Sequence, residues 1–316
     1  MSRTERKPRW YGVPYKGSKN QIAEEIVDQL PPAEHFYDLF AGGCAVSHAA
    51  LLSGRYRCIH LNDLDGRGIR LFLNAIAGKY RDERRWISRE DFQRLKDSDP
   101  YVVLCWSFGN DMRGYLYSTD QEPLKRQIHL MLTADSVHER RMAWYQLRHM
   151  LQPFLEDPRK AETQDMGRLE RIPNLERLER IQSLEGLDCI WKLEDCVTAR
   201  DYRDVPILPD SVIYCDPPYA GTRSTHNGEY GAGFDYDSFF CWAQAQEALM
   251  VISEYSMPDG FTPVWSRVKT VMTRRGNSFA TEHLYVPDHQ LGLWQERTGI
   301  ADGDDSMKSR KEKNHE

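Results

Sequence analysis

Apolar residues near the start of the chain follow first the period of a helix and then the pattern of a strand. Between residues 22 and 30 they are spaced by four, one and three positions, which fits one helical face that Pro31-Pro32 would end. These residues are Ile22, Ile26, Val27 and Leu30. The next apolar run, residues 35–40, is short and aromatic, as expected for a buried strand.

A turn of small residues follows that strand. Ala41-Gly42-Gly43-Cys44 leads into a small-residue helix that we expect to reach Leu52. Residues 56–61 then predict a second strand, which ends in Asn62-Asp63. The order strand, glycine turn, helix, strand, acid is the opening of a parallel α/β sheet that binds a nucleotide-like cofactor.

From residue 78 to residue 186 the pattern changes to long, charged, helix-forming sequence. Within it, Leu and Ile recur at a strict spacing of three, at which an apolar stripe would drift about 60° per step around a helix. The spacing leaves open whether this segment is a winding helix or another structure. The repeating positions are Leu169, Ile172, Leu175, Leu178, Ile181 and Leu184.

Strand-like apolar runs return after this block, at residues 210–215, 251–255 and 283–286. We therefore predict one α/β domain formed by residues 10–77 and 187–298, with residues 78–186 as an inserted region. The polar and charged residues 299–316 are predicted to be disordered.

Composition places the chain among ordinary globular proteins. Of its 316 residues, 40 % are hydrophobic and 28 % charged, and no apolar stretch approaches the ~18 residues of a membrane span. Residues 1–10 are basic and lack the apolar core of a secretory signal, so we expect a cytoplasmic protein. The seven cysteines are scattered without a CxxC pair, which predicts reduced thiols and no zinc site.

The formal net charge of −6 gives no support to a nucleic-acid partner. Lys and Arg side chains that displace phosphate counterions supply much of the affinity for nucleic acid. An enzyme can nevertheless concentrate a few basic side chains along one cleft while the rest of its surface stays acidic. Bulk charge therefore leaves the partner undecided.

The most specific motif is Asp216-Pro217-Pro218-Tyr219, which comes directly after the apolar run 210–215. Neither proline can donate to a β-ladder, so the chain must leave the sheet at this point. The motif thus predicts an acid and an aromatic ring at the carboxyl edge of the sheet, where α/β enzymes bind their ligands. A surface turn with the same four residues is the alternative.

Four features in this order resemble the Dam-type (D12 class) DNA adenine methyltransferases. They are the lysine turn Tyr15-Lys16-Gly17-Ser18-Lys19, the loop Asp38-Leu39-Phe40-Ala41-Gly42-Gly43-Cys44, a long insert, and Asp216-Pro217-Pro218-Tyr219. The resemblance spans residues 15–286, and it is strong at the last motif and weak inside the insert. It implies a Rossmann-like class I methyltransferase sheet in which residues 78–186 form a target-recognition region.

The resemblance also implies what the protein binds. The cofactor would be S-adenosylmethionine, the substrate double-stranded DNA, and the source a bacterium or a phage. No metal and no membrane would take part. A restriction endonuclease partner is compatible with this family, and the residues identify none.

Site residues follow from the resemblance position by position. Asp63 would accept hydrogen bonds from the ribose hydroxyls, and Asp201-Tyr202 would flank the cofactor adenine; a helix cap and a solvated loop are the respective alternatives. Cys44 departs from the pattern, since the family usually has its second glycine there. The catalytic set is Asp216, Pro217, Pro218 and Tyr219, and the cofactor-binding set is Tyr15, Lys19, Asp38, Phe40, Gly42, Gly43, Asp63, Asp201 and Tyr202.

These residue types suit methylation of an exocyclic amine. The N6 lone pair of adenine is delocalised into the ring, which makes the amine a poor nucleophile. Hydrogen bonds from N6 to the Asp216 carboxylate and the Pro217 carbonyl would favour a pyramidal nitrogen that attacks the sulfonium methyl in line. Tyr219 would stack on the base after it rotates out of the helix.

Other candidate DNA contacts have structural alternatives. Residues 108–110 and 115–118 would line the flipped base or wedge into the duplex, with core packing as the alternative. Residues 274–278 resemble the basic loop that lies by the substrate pocket, with a hairpin turn as the alternative. Four arginines of the insert would touch phosphates, with a solvated helix face as the alternative. They are Arg84, Arg85, Arg89 and Arg94.

Rival functions make different demands on the sequence. A methyltransferase acting on glutamine or on RNA would share the Asp216–Tyr219 motif, but the lysine turn and the long insert favour duplex DNA. A cytosine-C5 enzyme needs a cysteine nucleophile, normally after proline, and the chain has no Pro-Cys pair. A nicotinamide dehydrogenase would leave the motif unexplained. The intact acid and aromatic ring argue against a non-catalytic DNA-binding decoy.

Overall fold

Seven strands among the described residues form one mixed sheet. The computed structural model describes residues 9–156, 171–187, 193, 196–219, 233–273 and 276–300. The strands are β1 Ala33–Asp38, β2 Tyr56–Asn62, β3 Val197–Thr198, β4 Ser211–Cys215, β5 Leu249–Glu254, β6 Phe261–Thr273 and β7 Gly276–Pro287.

The order of strands across the sheet is β3-β2-β1-β4-β5-β7-β6. The first five strands in this order are parallel, and β7 runs antiparallel to both β5 and β6. The parallel part has the 3-2-1-4-5 order of a Rossmann sheet. The predicted Rossmann-like α/β architecture is therefore confirmed.

Two compact units contain the described residues. One comprises the described residues of 1–18, 42–44 and 67–188, and the other those of 19–41, 45–66 and 189–316. The whole sheet belongs to the second unit. The boundaries 10–77, 78–186 and 187–298 that we expect from sequence texture remain a prediction.

In the described part of the sheet unit there are four α-helices: one before β1, one between β1 and β2, one between β4 and β5, and one after β7. Small buried side chains line the second helix, where Ala45, Ala49 and Ala50 are at most 5 % exposed. The predicted helices before Pro31-Pro32 and up to Leu52 are confirmed, as are the strands predicted around residues 35–40, 56–61, 210–215 and 251–255. Numbered in chain order over both units, these helices are α1 Ala23–Asp28, α2 Ala45–Ser53, α9 Tyr236–Gln244 and α10 Leu291–Thr298.

The sequence prediction was wrong about the extent of the last strands. We expected one short strand at residues 283–286, whereas β7 has 12 residues and pairs with the 13-residue β6. Pro263 and a shift of register before Trp265 interrupt the strand pattern of β6, and Val268 and Phe279 are exposed. Proline is tolerated here because β6 is an edge strand.

The other unit is mainly helical. Its helices are α3 Arg67–Ile76, α4 Arg89–Leu95, α5 Pro100–Cys105, α6 Glu122–Thr133, α7 Val137–Glu156 and α8 Pro173–Gln182. Ser88 caps α4, and Asp99 caps α5 just before Pro100 at its first position. The helical structure predicted between residues 78 and 186 is thus confirmed for the described part of that range.

Aromatic rings form the core of the helical unit. The Trp86 ring is stacked on Tyr117 at 5.6 Å and meets Trp106 edge-on at 5.1 Å, measured between ring centroids. Tyr115 and Tyr117 are 7 % and 4 % exposed. For these two residues, core packing is correct and a wedge into DNA is not, since a buried ring cannot enter a duplex. Phe108, in contrast, is exposed.

A chain of hydrogen bonds crosses this aromatic core. The Tyr117 hydroxyl donates to Asn174 Oδ1, and Asn174 Nδ2 lies 2.8 Å from His129 Nδ1. His129 Nε2 lies 2.9 Å from the Arg84 carbonyl, which can only accept. The imidazole must therefore carry its proton on Nε2 and accept at Nδ1. Burial lowers the pKa of His129, in agreement with a neutral ring.

The middle part of the period-three repeat forms the short helix α8, and other repeat positions flank that helix. Of the repeated positions, only Leu175, Leu178 and Ile181 belong to α8, so the stripe drifts through two steps and stays on one face. Ile172 and Leu184 are buried just outside the helix. Leu169 lies outside the described residues, as do residues 301–316 of the predicted tail.

Two further expectations concern the cysteines and membrane spans. The six cysteines that the structure describes are free thiols, as predicted, and Cys189 lies outside the described residues. Among the described residues, every helix is too short or too polar to span a lipid bilayer.

Replacing Asn174 tests the hydrogen-bonded chain. We expect Asn174→Ala to lower the free energy of unfolding by about 2–5 kcal/mol, because the Tyr117 hydroxyl and His129 Nδ1 lose their partner inside the core. Urea unfolding monitored by tryptophan fluorescence would measure the change. Gln146→Ala, on the exposed side of α7, is the control and should stay within about 0.5 kcal/mol of wild type. Equal stability of Asn174→Ala and the control would contradict this account.

Candidate active site

The carboxyl ends of β1 and β4 meet where the order of strands reverses. From β1 the chain builds outward to β2 and β3, and it then returns to place β4 on the other side of β1. In open α/β sheets, ligands bind in the crevice outside such a switch point. Asp38 is the last residue of β1 and Asp216 follows β4 directly, so two carboxylates lie at this edge.

Asp38 is buried, with 2 % of its surface exposed. Its Oδ2 accepts a hydrogen bond from the Ser47 hydroxyl of α2, while its Oδ1 has no hydrogen-bond partner among the described residues. Burial, only partly offset by the Ser47 bond, raises the pKa of Asp38 to about 7. The carboxylates of Asp216 and Asp63 add to this effect. Asp38 therefore offers an unused, buried acceptor next to other acids.

Lys19 joins the lysine turn to the Asp216 motif. Its backbone carbonyl accepts from Ile22 in the turn before α1, and the side chain is buried. The Nζ atom lies 2.6 Å from each Asp216 carboxylate oxygen, across 197 residues of sequence. Two predicted site residues are thus in direct contact. The ammonium engages both oxygens of the carboxylate that we expect to prepare the target amine.

Tyr219 is held on several sides. Its hydroxyl donates to Glu282 Oε1 and lies 3.5 Å from Ser253 Oγ. Its ring centroid is 4.6 Å from Lys19 Nζ and 4.5 Å from the ring of Tyr255, which is inclined at 71°. Burial raises the pKa of Tyr219, and the nearby carboxylates raise it further. The hydroxyl therefore remains a proton donor at neutral pH.

The two prolines between the acid and the ring are also fixed. Pro217 is buried, and the Pro218 carbonyl accepts a hydrogen bond of 2.7 Å from the Tyr236 hydroxyl of α9. The catalytic set expected from the sequence therefore lies within one unit, anchored to the ends of β4 and β5 and to α9.

The glycine loop belongs to the helical unit. A Cβ atom at Gly43 would lie 2.6 Å from Tyr15 Cβ and 2.8 Å from the Val13 carbonyl oxygen. Gly42 has a φ of +47°, and a Cβ there would lie 2.9 Å from the Tyr15 ring. Only glycine allows this approach, so the structure brings three predicted cofactor residues together.

Cys44 has a backbone conformation of the kind that glycine adopts readily. Its φ is +57° and its thiol is buried. This left-handed conformation favours glycine, and a residue with a Cβ adopts it at a cost of about 1–2 kcal/mol. The cysteine therefore brings a different side chain into the loop, while the backbone at this position keeps a conformation that glycine favours.

The remaining predicted cofactor residues have local partners. Asp63 Oδ1 accepts from the backbone amide of Asp65 at 3.0 Å, which is a turn contact before α3 begins at Arg67 and not the helix cap of the alternative. Asp201 pairs with Arg203 at 2.8 Å, and the hydrogen bond from Arg203 lowers its pKa. Tyr202 is not in a solvated loop, because its ring is 7 % exposed and packs 5.4 Å from the Phe40 ring.

Sequence reasoning missed the residues that hold this edge together. Asn62 Nδ2 donates to the carbonyls of Leu39 and Arg200, at 3.1 and 3.0 Å, and so ties the loops after β1 and β3. Glu282 was missed as well. The sequence feature that could have indicated it is the two-residue spacing to apolar Leu284 and Val286, which places an acid on the buried face of a strand.

The arginines proposed as phosphate contacts are occupied by neighbouring acids or carbonyls. The four ion pairs are Arg84 with Asp135, Arg85 with Glu83, Arg89 with Glu122, and Arg94 with Asp91. The solvated-face alternative is therefore the better description. On α7, by contrast, the exposed Arg141 and Arg148 form no ion pair with any described residue. Arg274 and Arg275, which are adjacent in sequence, lie outside the described residues.

Comparison with known proteins identifies the family. A model of the D12 class N6 adenine-specific DNA methyltransferases matches residues 15–239, more than two thirds of the chain. No curated protein sequence matches it. Within the described ranges, no group of His, Cys, Asp and Glu side chains is arranged to hold a metal ion. The matched range runs from Tyr15 through the Asp216 motif into α9, on a class I methyltransferase sheet. The chain therefore belongs to the D12 class of N6 adenine-specific DNA methyltransferases, and it is an adenine-specific DNA methyltransferase.

Proposed function

We propose that this enzyme transfers the methyl group of S-adenosylmethionine to N6 of an adenine that has rotated out of duplex DNA. The observation that carries the proposal is the pairing of a strand-end carboxylate, Asp216, with the partly buried ring of Tyr219 at the switch point of the sheet. Membership of an adenine-N6 family supports the target atom. The methyl donor and the extruded base are part of this proposal.

Asp38 supports the choice of donor. A buried carboxylate oxygen without a partner is costly unless a ligand supplies a donor. The Oδ1 atom of Asp38 meets this description among the described residues. An ammonium group, such as that of the methionine part of the cofactor, would satisfy it. The sulfonium centre of the bound cofactor supplies an electrophilic methyl group.

The other predicted cofactor residues have complementary roles. Asp63 would accept hydrogen bonds from the ribose hydroxyls, after exchanging the Asp65 amide for them. The packed rings of Phe40 and Tyr202 offer an apolar surface for the cofactor adenine. Within the helical unit, Tyr15, Gly42 and Gly43 would contact the methionine part; in the sheet unit, Lys19 keeps its predicted role as a cofactor residue.

Asp216 prepares the nucleophile. Its carboxylate accepts a hydrogen bond from the N6 amine, and the Pro217 carbonyl accepts the second, which concentrates the lone pair on nitrogen. As the N–C bond forms, the S–C bond breaks and its electron pair stays on sulfur. The methylated nitrogen then gives up one proton, and Asp216 is the acceptor in contact with it.

Recognition of DNA belongs to the helical unit in this proposal. Residues 78–186 would form the target-recognition region. On α7 only Ala143 and Leu147 are buried in the stretch from 137 to 150, so most of the helix surface is exposed. Arg141 and Arg148, whose guanidinium groups are unpaired within the described ranges, lie seven residues apart on one side of the helix. They are available to neutralise phosphates.

Removal of the Asp216 carboxylate tests the chemistry. We expect Asp216→Ala to lower methyl transfer by at least about a hundredfold, because the amine loses its acceptor. Transfer of label from radioactive S-adenosylmethionine to adenine in DNA measures the rate, and a gel-shift assay should still detect DNA binding. Asp237→Ala, an exposed acid on α9, is the control. Turnover equal to the control would defeat the mechanism.

The role of Asp38 predicts a pH dependence. Below its pKa of about 7 the carboxyl group is protonated and neutral, and its attraction for a cationic ligand is lost. Affinity for S-adenosylmethionine should therefore fall as the pH drops below about 7, approaching tenfold per pH unit. Calorimetric titrations between about pH 5.5 and 8, in steps of about half a pH unit, would measure this affinity. Asp38→Asn should bind weakly and lose this dependence; an unchanged profile in that variant would refute the assignment.

Salt dependence of DNA binding tests α7. Each arginine that neutralises a phosphate contributes about 0.9 to the slope of log K against log salt concentration. Arg141→Ala and Arg148→Ala should each reduce the slope by about this amount, in fluorescence-anisotropy titrations with duplex DNA. Arg94→Ala is the control, because Arg94 is already paired with Asp91. Equal slopes for all variants would remove α7 from the DNA interface.

A further inference from the structure

Glu282 is a fully buried acid outside the range that matches the family model. It lies on β7, has no exposed surface, and the match ends at residue 239. The neighbouring inward positions of this strand, Leu284 and Val286, are apolar. An apolar side chain would suit the same place, so packing does not explain the carboxylate.

The contacts of Glu282 lead to the catalytic motif. Its Oε1 accepts a hydrogen bond of 2.6 Å from the Ser253 hydroxyl of β5, and another from the Tyr219 hydroxyl. The same oxygen lies 3.7 Å from Lys19 Nζ. One buried atom therefore meets both the tyrosine ring of the motif and the cation that engages Asp216.

Lys19 stands between two carboxylates at unequal distances. Its ammonium is 2.6 Å from both Asp216 oxygens and 3.7 Å from Glu282. A target amine that binds Asp216 competes with the ammonium for the lone pairs of these oxygens. The displaced ammonium then needs another acceptor, and Glu282 becomes one after a movement of about 1 Å.

We propose that Glu282 is a positioning residue for methyl transfer, which fixes the Tyr219 ring through its hydroxyl and receives Lys19 when the adenine amine binds Asp216. The inference rests on the proposed function of Asp216 and Tyr219. The hydroxyl bond fixes the position of the ring, and the edge contact with Tyr255 restricts the rotation of its plane. Stacking on an extruded base requires a defined ring plane.

The first variant is Glu282→Gln, which keeps the shape of the side chain and removes its charge. We expect kcat at saturating DNA to fall by about tenfold to a hundredfold, since both the ring and the lysine lose their fixed positions. Affinity for S-adenosylmethionine, measured by calorimetry, should stay near that of wild type. With 2-aminopurine at the target position, the fluorescence increase on binding should also be smaller.

The second variant is Tyr219→Phe, which removes only the hydroxyl that Glu282 accepts. It should lower kcat as well, though less, because Lys19 keeps its second carboxylate. The double variant should be no slower than Glu282→Gln alone, since the bond between the two residues is already lost. If Glu282→Gln does not fold, Tyr219→Phe carries the test, and a wild-type kcat in that variant overturns the proposal.

Glu254→Gln is the matched control. Glu254 is a buried acid on the neighbouring strand β5, and its Oε1 accepts from the backbone amide of Tyr255. Thermal unfolding of both variants separates stability from catalysis. A kcat loss in Glu282→Gln that matches the control, or that follows the folded fraction, overturns the proposal. If wild-type protein itself methylates no adenine, the proposed function fails first; if it does and Glu282→Gln equals it, only this inference fails.

Discussion

The contact between the Lys19 ammonium and the Asp216 carboxylate organises the sheet edge on which the proposed chemistry depends. Lys19 is buried, and Asp216 has 19 % of its side chain exposed, so the pair is shielded from water on one side and open on the other. Asp38 and Glu282 add two more buried acids close by. Among the residues that the structure describes, one ammonium group, that of Lys19, thus lies at an acid-rich edge of the sheet. Such an edge favours a ligand that brings positive charge of its own, as the proposed sulfonium donor does.

Local sequence signals predicted the elements around this edge well. Residues 33–38 and 56–62 are strands because aromatic and branched apolar residues run together between turn-forming residues, and the Pro217-Pro218 pair ends β4 whatever surrounds it. Small residues at 42–43 predicted a tight turn, and the structure shows the Tyr15 ring as the reason. In each case the information lies within about ten residues of chain, which is the reach of period and turn chemistry.

Contacts between distant parts of the chain were out of reach. The bond from Tyr219 to Glu282 spans 63 residues, and nothing in the neighbourhood of either residue specifies the other. Arginines of the insert looked alike in sequence, but Arg94 is neutralised within its own helix, while Arg141 and Arg148 form no ion pair with any residue that the structure describes. The β6–β7 hairpin was missed because an edge proline and exposed apolar residues blur the alternation on which strand prediction relies.

The chain enters and leaves the helical unit more than once, since residues 42–44 and the segment from 67 onward belong to it together with the first residues of the chain. Arg180 of α8 donates to the carbonyls of Tyr11 and Gly12, and α3 contacts both α5 and α8. A chimera that exchanged residues 78–186 between related enzymes would therefore cut through a folded core. A graft that also carried residues 9–18 and 67–77 would move these partners as one piece, and engineering of new sequence specificity should begin from that larger cassette.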